Sequence, residues 1–123
     1  MQVLVVDDEA LVRWSVAETL GAQGYKVTEA ADAASAIRTF SNPLGETDLV
    51  LLDLRLPDSD DLCVLSAMRR LSPSTPVILM TAYATPELLH EARRLGAFSI
   101  VNKPFEMSDL ALLVARALAA RPN

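Results

Sequence analysis

The chain has 123 residues, of which 51% are hydrophobic and 22% are charged, and its formal net charge is −5. These values predict one compact globular domain, and they argue against intrinsic disorder and against a basic face that binds nucleic acid. Cys63 is the only cysteine, which excludes an internal disulfide. No signal peptide pattern and no apolar run of the ~20 residues that span a membrane is visible, so the predicted setting is the cytoplasm, with no membrane partner.

Short apolar runs alternate with helical patterns along the chain. The apolar runs predict five strands, at Val3–Val6, Tyr25–Glu29, Asp48–Asp53, Pro76–Thr81 and Phe98–Val101. The intervening segments predict five helices, at Glu9–Leu20, Ala33–Phe40, Asp60 or Asp61 to about Arg70, Pro86–Leu95 and Ser108 to about Ala120. Continuously apolar strands in series with helices predict an α/β fold, in which a parallel sheet is covered on both faces.

Residues with strong boundary preferences mark the ends of these helices. Gly21 predicts the end of the first helix, because glycine is favoured just past a helix C-terminus. Asp32 and Thr85 predict caps at the N-termini of the second and fourth helices, and either Asp60 or Asp61 predicts the cap of the third.

Four of the five predicted strands lead into polar residues. Asp7 and Asp8 follow the first strand, Asp53 ends the third, Thr81 ends the fourth, and Lys103 follows the fifth. In a parallel sheet the carboxyl ends of all strands lie on one edge, where ligands bind in folds of this class. These five side chains are therefore predicted to converge on that edge.

The chemistry of this set indicates phosphoryl transfer. Three carboxylates in one place repel one another, and a bound cation relieves that repulsion. Oxygen ligands without histidine or cysteine suit Mg²⁺, while a hydroxyl and an ammonium suit an incoming phosphoryl group. Taken singly, the Asp pair is an ordinary helix-capping turn, Asp53 a turn residue and Lys103 a solvated charge. Their joint placement is what predicts a phosphoryl-accepting site with an aspartate nucleophile.

Four stretches of the chain, VLVVDDE, LVLLDLRLPD, PVILMTAY and FSIVNKPF, resemble the receiver domain of bacterial two-component response regulators. The resemblance covers essentially the whole chain, and DDEALVRWS is most similar to receivers of the NtrC type. It implies a doubly wound, CheY-like and flavodoxin-like fold of five βα units with strand order 2-1-3-4-5. It also implies a receiver domain over residues 1–120, with residues 121–123 either starting a linker to an output domain or simply ending the chain.

The resemblance implies a metal site at the predicted edge. Asp53 is the phosphoacceptor in this reading, and it ligates Mg²⁺ directly together with Asp8 and the backbone carbonyl of Arg55. Asp7 is implied to act on the same ion through bound water. Mg²⁺ is thus the implied cofactor.

The resemblance also implies how the phosphoryl group is handled. Thr81 and Lys103 contact the phosphoryl oxygens, and the bond between Lys103 and Pro104 is cis, a minority conformation that usually serves a tight turn. The implied function is a phosphoacceptor switch that takes its phosphoryl group from a sensor histidine kinase or a small phosphodonor and acts in transcriptional regulation. Under this reading the domain is no enzyme on external substrates. Two alternatives stay open, namely a phosphatase with Asp53 as nucleophile and a pseudo-receiver that binds partners without taking phosphate.

Some positions depart from the family pattern or belong to the site's surroundings. Ile100 replaces a Tyr or Phe that is common in receivers, which excludes an aromatic rotamer readout there. Asp61 replaces a usual Gly, so that either the backbone has adjusted or Asp61 caps the third helix. Phe98 is predicted to lie in the core. Tyr83 and Arg55 are predicted at the site rim, where the hypothesis is that they screen the phosphoryl group and set its lifetime.

Two helices predict exposed apolar faces. The fifth helix has one charge in residues 110–120, and its apolar residues divide into a sheet-facing set and an outer set: Leu110, Leu113, Val114 and Ala117 against Leu112, Ala115 and Ala119. The outer set predicts a homodimer through the fourth and fifth helices or contact with a following domain, with an uncovered Ala-rich helix as the alternative. On the first helix the pattern alone allows either face to pack against the sheet. The resemblance implies that Val12 and Val16 face inward, which leaves Leu11 and Trp14 as candidate partner contacts. His90 is predicted to be solvated.

Overall fold

The computed structural model of the chain describes residues 1–42, 45–59 and 62–120, in which five strands alternate with five helices. The strands are β1 (Gln2–Val6), β2 (Lys26–Ala30), β3 (Leu49–Asp53), β4 (Val77–Thr81) and β5 (Ser99–Asn102). The helices are α1 (Ala10–Ala22), α2 (Ala33–Ser41), α3 (Cys63–Leu71), α4 (Pro86–Arg94) and α5 (Met107–Ala120).

The strands form one parallel sheet in the order β2-β1-β3-β4-β5. The predicted α/β class and the strand order are both confirmed. The chain runs outward from β1 to β2 and then returns past β1 to β3, so the winding direction reverses between β1 and β3. In open sheets of this type the crevice at the carboxyl ends of such a strand pair is the usual ligand site.

Both faces of the sheet are packed against helices. Every residue of β3 and β4 is buried, which explains why these segments are apolar throughout. Alternate strand residues point to opposite faces, and one set, including Val5, Leu51 and Met80, packs with α1 and α5. The other set, including Leu52 and Leu79, packs with α2, α3 and α4. The sheet is therefore a central layer between two sets of helices.

The predicted end of the first helix was wrong by two residues. α1 continues through Gly21 to Ala22, and the residue with left-handed backbone is Gly24, at φ 92°. The Gly24 N–H donates to the Gly21 carbonyl at 3.0 Å, and the Tyr25 N–H donates to the Leu20 carbonyl at 3.2 Å. These bonds satisfy carbonyls of the last helical turn, which is the role of a glycine placed just past a helix end.

Two predicted helix caps are confirmed. The Asp32 carboxylate accepts the Ser35 N–H at 2.7 Å, and the Thr85 hydroxyl accepts the Leu88 N–H at 3.1 Å. The predictions made for Asp60 and Asp61, including a cap on α3, lie outside the described residues, as does the prediction for residues 121–123.

Phe98 does not lie in the core, so that prediction was wrong. Its side chain is 41% exposed, although its N–H donates to the Val77 carbonyl at 2.8 Å. Phe98 comes just before β5, at the edge of the sheet opposite the polar residues. Its ring lines a surface cavity of about 390 Å³ together with Pro76 and Ala117. The backbone thus joins the sheet while the ring stays beside it.

The predicted helix faces are largely confirmed. On α5 the buried residues are Leu110, Ala111, Val114 and Ala117, while Leu113 is half-buried and Leu112, Ala115 and Ala119 are exposed. On α1, Val16 is buried and Val12 half-buried, while Leu11 and Trp14 are exposed; His90 on α4 is exposed as well. None of the helices in the described ranges is long and apolar enough to cross a membrane.

Candidate functional site

Three carboxylates meet at the carboxyl ends of β1 and β3. These strands are neighbours, with Val6 opposite Leu52, so the residues that follow each pair stand side by side. One carboxylate oxygen from each of Asp7, Asp8 and Asp53 lies within 4.8 Å of the other two. Asp7 and Asp53 are buried and Asp8 is exposed, so the cluster has one side in the protein and one side in solvent.

Lys103 reaches this carboxylate cluster from the end of β5. Its Nζ lies 2.6 Å from Asp7 Oδ2 and 3.2 Å from Asp53 Oδ2, and 3.5 Å from a carboxylate oxygen of Glu9. The Lys103 N–H donates to the Thr81 carbonyl at 2.7 Å, which fixes its backbone to the end of β4. The bond that follows, to Pro104, is cis, the conformation that the resemblance implies. Lys103 is thus the counter-ion of two carboxylates from different strands.

Burial and neighbouring charges shift the pKa values of Asp53 and Lys103. Burial raises the pKa of Asp53, and the neighbouring charge of Asp7 raises it further, against the opposing effects of the Arg55 N–H and of Lys103. For Lys103 burial acts to lower the pKa, but the hydrogen bond and charge of Asp7, together with Asp53, outweigh it and raise the pKa. Lys103 therefore stays protonated near neutral pH, and its single positive charge lies next to the carboxylates of Asp7 and Asp53.

The donor set at this edge fits Mg²⁺. The ligand atoms available are carboxylate oxygens, which a hard divalent cation prefers, and one carboxylate of the three faces solvent, as an ion that keeps several waters requires. A divalent cation also offsets the repulsion that raises the pKa of Asp53. The Arg55 N–H donates to Asp53 Oδ1 at 3.2 Å, which keeps the predicted carbonyl ligand in the turn that follows the phosphoacceptor candidate.

Thr81 lies one strand away from Asp53. Met80 is opposite Asp53 in the sheet, so Thr81 follows one residue beyond that pair at the end of β4. The Thr81 side chain is buried, and its hydroxyl oxygen accepts the Tyr83 N–H at 3.1 Å. The hydroxyl is therefore engaged with its own loop, while the Thr81 carbonyl holds the Lys103 backbone.

The two residues predicted at the site rim contact each other. The Arg55 guanidinium lies over the Tyr83 ring, with its central carbon 4.9 Å from the ring centre. Arg55 belongs to the loop after β3 and Tyr83 to the loop after β4, and both side chains are exposed. A cation–π contact at an exposed site stabilises by about 0.5–1 kcal/mol, so this pair links the two loops weakly.

Two residues near the carboxylate cluster were not predicted. Glu9 lies 3.5 Å from Lys103 Nζ, and its place directly after the Asp pair was a signal in the sequence. The Arg13 guanidinium donates to the Asp7 carbonyl at 2.6 Å and lies 3.3 Å from a Glu29 carboxylate oxygen. No local pattern points to Arg13, because its contacts depend on where α1 crosses the ends of β1 and β2.

Ile100 does not line the carboxylate cluster. Its side chain is half-buried and packs against the hydrophobic core on the face covered by α2, α3 and α4. The position that is aromatic in many receivers thus serves here as an aliphatic core contact.

Comparison with known proteins gives consistent matches. Residues 3–115 match the model of the response regulator receiver domain. Regulatory protein AtoC of Escherichia coli is 42% identical over 117 residues, which cover 95% of this chain and 25% of AtoC. Sporulation initiation phosphotransferase F of Bacillus subtilis is 30% identical over 122 residues, which cover 99% of this chain and 97% of that protein.

A solved structure shows the same likeness in three dimensions. The crystal structure of the receiver domain of NtrX from Brucella abortus matches with a TM-score of 0.86 at 34% identity, covering 96% of this chain and 98% of that chain. This chain therefore spans a quarter of AtoC but nearly all of phosphotransferase F and of the NtrX receiver domain. The chain belongs to the response regulator receiver domain family.

Proposed function

We propose that this domain is a phosphoacceptor switch of a two-component phosphorelay, with Asp53 as the residue that takes the phosphoryl group. The observation that carries the proposal is one buried carboxylate that has two further carboxylates within 4.8 Å and an ammonium at 3.2 Å. A carboxylate nucleophile with fixed positive charge beside it is what phosphoryl transfer to aspartate requires. Membership of the receiver family supports the same function.

In the proposed reaction a carboxylate oxygen of Asp53 attacks phosphorus in line. A P–O or P–N bond to the donor breaks, the leaving group keeps the electron pair, and the product is an acyl phosphate. Asp8, Asp53 and the Arg55 carbonyl would hold Mg²⁺, with Asp7 acting through water, and Mg²⁺ when bound offsets the negative charge of the phosphoryl oxygens.

Lys103 and Thr81 then respond to the new phosphoryl group. The Lys103 ammonium exchanges its contact with Asp53 for a phosphoryl oxygen and keeps its bond to the buried Asp7. The Thr81 hydroxyl leaves the Tyr83 N–H and donates to another phosphoryl oxygen. Because Thr81 and Lys103 are joined through their backbones, movement of one is transmitted to β5 and to the helix after it.

The proposed phosphodonor is a phosphohistidine on a sensor histidine kinase, or a small phosphodonor. α1 presents two large exposed apolar residues, Leu11 and Trp14, as the proposed contact with the kinase. A cavity of about 350 Å³ beside Lys103, with Val12 and Phe105 in its lining, extends this apolar surface toward the carboxylate cluster. The cytoplasm stays the predicted setting.

The proposed output is a change in association that serves transcriptional regulation. AtoC, a regulatory protein, is four times as long as the part of it that this chain matches, which supports an output domain joined to a receiver of this kind. The response passes either to such a domain or to a homodimer through α4 and α5. The net charge of −5 supports a receiver that binds no nucleic acid itself.

One experiment tests the phosphoacceptor role. The domain is incubated with Mg²⁺ and a small acyl phosphate donor, and the intact mass is measured. We expect one phosphoryl adduct on the wild type and on Asp109→Asn, an exposed carboxylate of α5, and no adduct on Asp53→Asn. An unmodified wild type would overturn the proposal, and sustained turnover of a phosphomonoester would favour the phosphatase alternative.

A further inference from the structure

The loop between β3 and α3 is tied to the start of α2 by a single side chain. Asp58 Oδ1 accepts the N–H of Ala33 at 2.7 Å, and Asp58 Oδ2 accepts the N–H of Ala34 at 3.1 Å. These are the first two residues of α2, whose N–H groups have no acceptor within the helix. The bonds join residues 25 and 24 positions apart, so Asp58 clamps two separate loops together.

α2 has a cap of its own, which separates the clamp from ordinary capping. Asp32 precedes the helix directly, and its carboxylate accepts the Ser35 N–H at 2.7 Å. Asp32 and Asp58 therefore bind different N–H groups of the same helix end. They belong to different parts of the chain, because Asp32 directly precedes α2, whereas Asp58 lies in the loop after β3 that also carries Arg55.

The backbone between Arg55 and Asp58 is constrained, so a change in the position of Asp58 should also move Arg55. Leu56 and Ser59 exchange two backbone hydrogen bonds, at 2.8 and 3.2 Å, and close a tight turn that contains Asp58. Leu54 and Leu56, on either side of Arg55, are both buried in the core. With its leucines fixed inside and Asp58 fixed outside, this stretch has little freedom to move away from the sheet.

The start of α2 is also connected to the other side of the carboxylate cluster. The Asp7 N–H donates to the carbonyl of Ala30, the last residue of β2, at 3.1 Å. The chain then reaches α2 within three residues. A continuous path thus runs from Asp7 through the start of α2 and Asp58 to Arg55, around the residues proposed to hold the cation.

From this path we infer that Asp58 is a positioning residue of the phosphoacceptor site, which holds the turn after Asp53 in the geometry that a divalent cation requires. The inference rests on the proposed function, since the cation is the one proposed for that site. Groups that orient metal ligands from outside the ligand shell commonly change metal affinity by about 10–100-fold when they are removed. Asp58 acts through a turn and not on a ligand atom directly, so its effect is smaller.

The test compares Asp58→Ala with Asp32→Ala, its matched control at the same helix end. Calorimetric titration with Mg²⁺ should show a dissociation constant about three- to tenfold higher for Asp58→Ala, below the range for groups that touch a ligand. Asp32→Ala should stay within about twofold of wild type, since it leaves the clamp in place. Both variants lose cap bonds, so both should lower the thermal unfolding midpoint. Asp58→Asn keeps one acceptor and should give an intermediate affinity.

A second measurement, made without any cation, reports whether the bonds from Asp58 to the start of α2 restrain the turn after β3. Amide hydrogen exchange of Leu56 and Ser59 should be faster in Asp58→Ala and unchanged in Asp32→Ala. If the wild type binds Mg²⁺ and Asp58→Ala shows the same affinity and the same exchange, the clamp is overturned and the proposed function stands. Equal loss of affinity in Asp32→Ala would also overturn it, because helix capping alone would then explain the effect. If the wild type neither binds Mg²⁺ nor takes a phosphoryl group, the proposed function itself has failed.

Discussion

At the scale of single residues, the surroundings of Asp53 disfavour the ionised form of its carboxyl group. Its side chain is buried next to Asp7, and both burial and the charge of Asp7 raise its pKa. Ionisation of Asp53 therefore costs free energy in the folded state that it does not cost in the unfolded chain. In the absence of Mg²⁺ we expect Asp53→Asn to raise the free energy of unfolding at neutral pH by about 1 kcal/mol, an ordinary size for a single substitution. Urea unfolding with linear extrapolation measures this difference.

The direction of the pKa shift fixes how this difference depends on pH. Because the pKa of Asp53 is higher in the folded than in the unfolded state, the folded wild type binds this proton more tightly. The wild type therefore loses stability relative to Asp53→Asn as the pH rises from the ordinary carboxyl value of 3.8 through the raised pKa. Above that window the difference stays constant. A difference that instead grew toward low pH would contradict this explanation.

The contact between Arg55 and Tyr83 makes a second prediction at the residue scale. If the pair screens the phosphoryl group from water, Arg55→Ala and Tyr83→Ala should each speed self-dephosphorylation. The contact is worth about 0.5–1 kcal/mol, which corresponds to about two- to fivefold in rate. Loss of the phosphoryl adduct over time, followed by intact mass, gives the rates. Arg93→Ala, an exposed arginine of α4, is the control.

The double variant separates a pair from two independent side chains. If Arg55 and Tyr83 act through their mutual contact, Arg55→Ala combined with Tyr83→Ala should be no faster than either single variant. Multiplied effects would mean that each side chain screens the site by itself, and unchanged rates in all variants would end the lifetime hypothesis.

At the scale of secondary structure elements, two glycines at the end of α1 have opposite roles. Gly21 lies within the helix, and a β-carbon there would meet no atom within 4 Å, whereas Gly24 has φ 92°. Gly21→Ala should stabilise the domain by roughly 0.5–1 kcal/mol, the difference between Gly and Ala in a helix. Gly24→Ala should destabilise it by roughly 1–2 kcal/mol, the strain of a β-carbon in left-handed backbone. Thermal unfolding measures both, and equal effects would contradict this helix end.

Some elements of the fold could be predicted from the sequence, whereas the exact end of α1 and the position of Phe98 could not. β3 and β4 were predictable because they are buried on both faces and therefore apolar throughout, and their order in the chain places Asp53 and Thr81 on one edge. Glycine can adopt both helical and left-handed backbone. The sequence alone therefore does not decide whether Gly21 or Gly24 has the left-handed backbone that follows the end of α1. The prediction for Phe98 was wrong because the aromatic side chain next to a strand can lie in the core or at a surface cavity, and the local sequence does not distinguish the two.

Contacts between loops that are distant in the sequence could not be predicted from it. Arg55 and Tyr83 were both predicted at the rim, yet nothing in either loop predicts that they contact each other. The bonds from Asp58 to the first residues of α2 likewise connect segments that follow different strands. A polar edge follows from topology alone, whereas the geometry that tunes it depends on the packing of loops.

The outer face of α5 makes a prediction for that element. Leu112 is 53% exposed, and Ala115 and Ala119 on the same helix are exposed with it. If this face pairs with a second copy, sedimentation should show a dimer when a phosphoryl analogue is bound. Leu112→Arg should weaken that dimer at least about tenfold, because a loss of about 1.4 kcal/mol is tenfold in affinity. Leu11→Arg on α1 is the matched control and should leave it intact. A strict monomer with and without the phosphoryl analogue would count against the dimer, and it would leave a following domain or an Ala-rich helix without a partner as the two explanations of this face.

At the scale of the whole molecule, the sheet concentrates its unfavourable charge in one place. Asp7, Asp8 and Asp53 meet at the carboxyl edge, where one ammonium, from Lys103, bonds to two of them. The hydrophobic packing of both sheet faces must outweigh the repulsion in this cluster for the domain to fold. A ligand that removes the repulsion therefore binds the folded state and should stabilise the domain as a whole.

Mg²⁺ should accordingly raise the stability of the entire fold through mass action. At free Mg²⁺ about ten times the dissociation constant, binding to the folded state alone adds about 1.4 kcal/mol to the free energy of unfolding. Asp53→Asn should lose most of this gain, since it removes a charged ligand from the cluster. Because salt alone screens repulsion between carboxylates, each titration is matched with KCl at equal ionic strength. A gain that KCl reproduces, or that persists undiminished in Asp53→Asn, would mean that general screening and not a metal site at the carboxyl edge stabilises the domain.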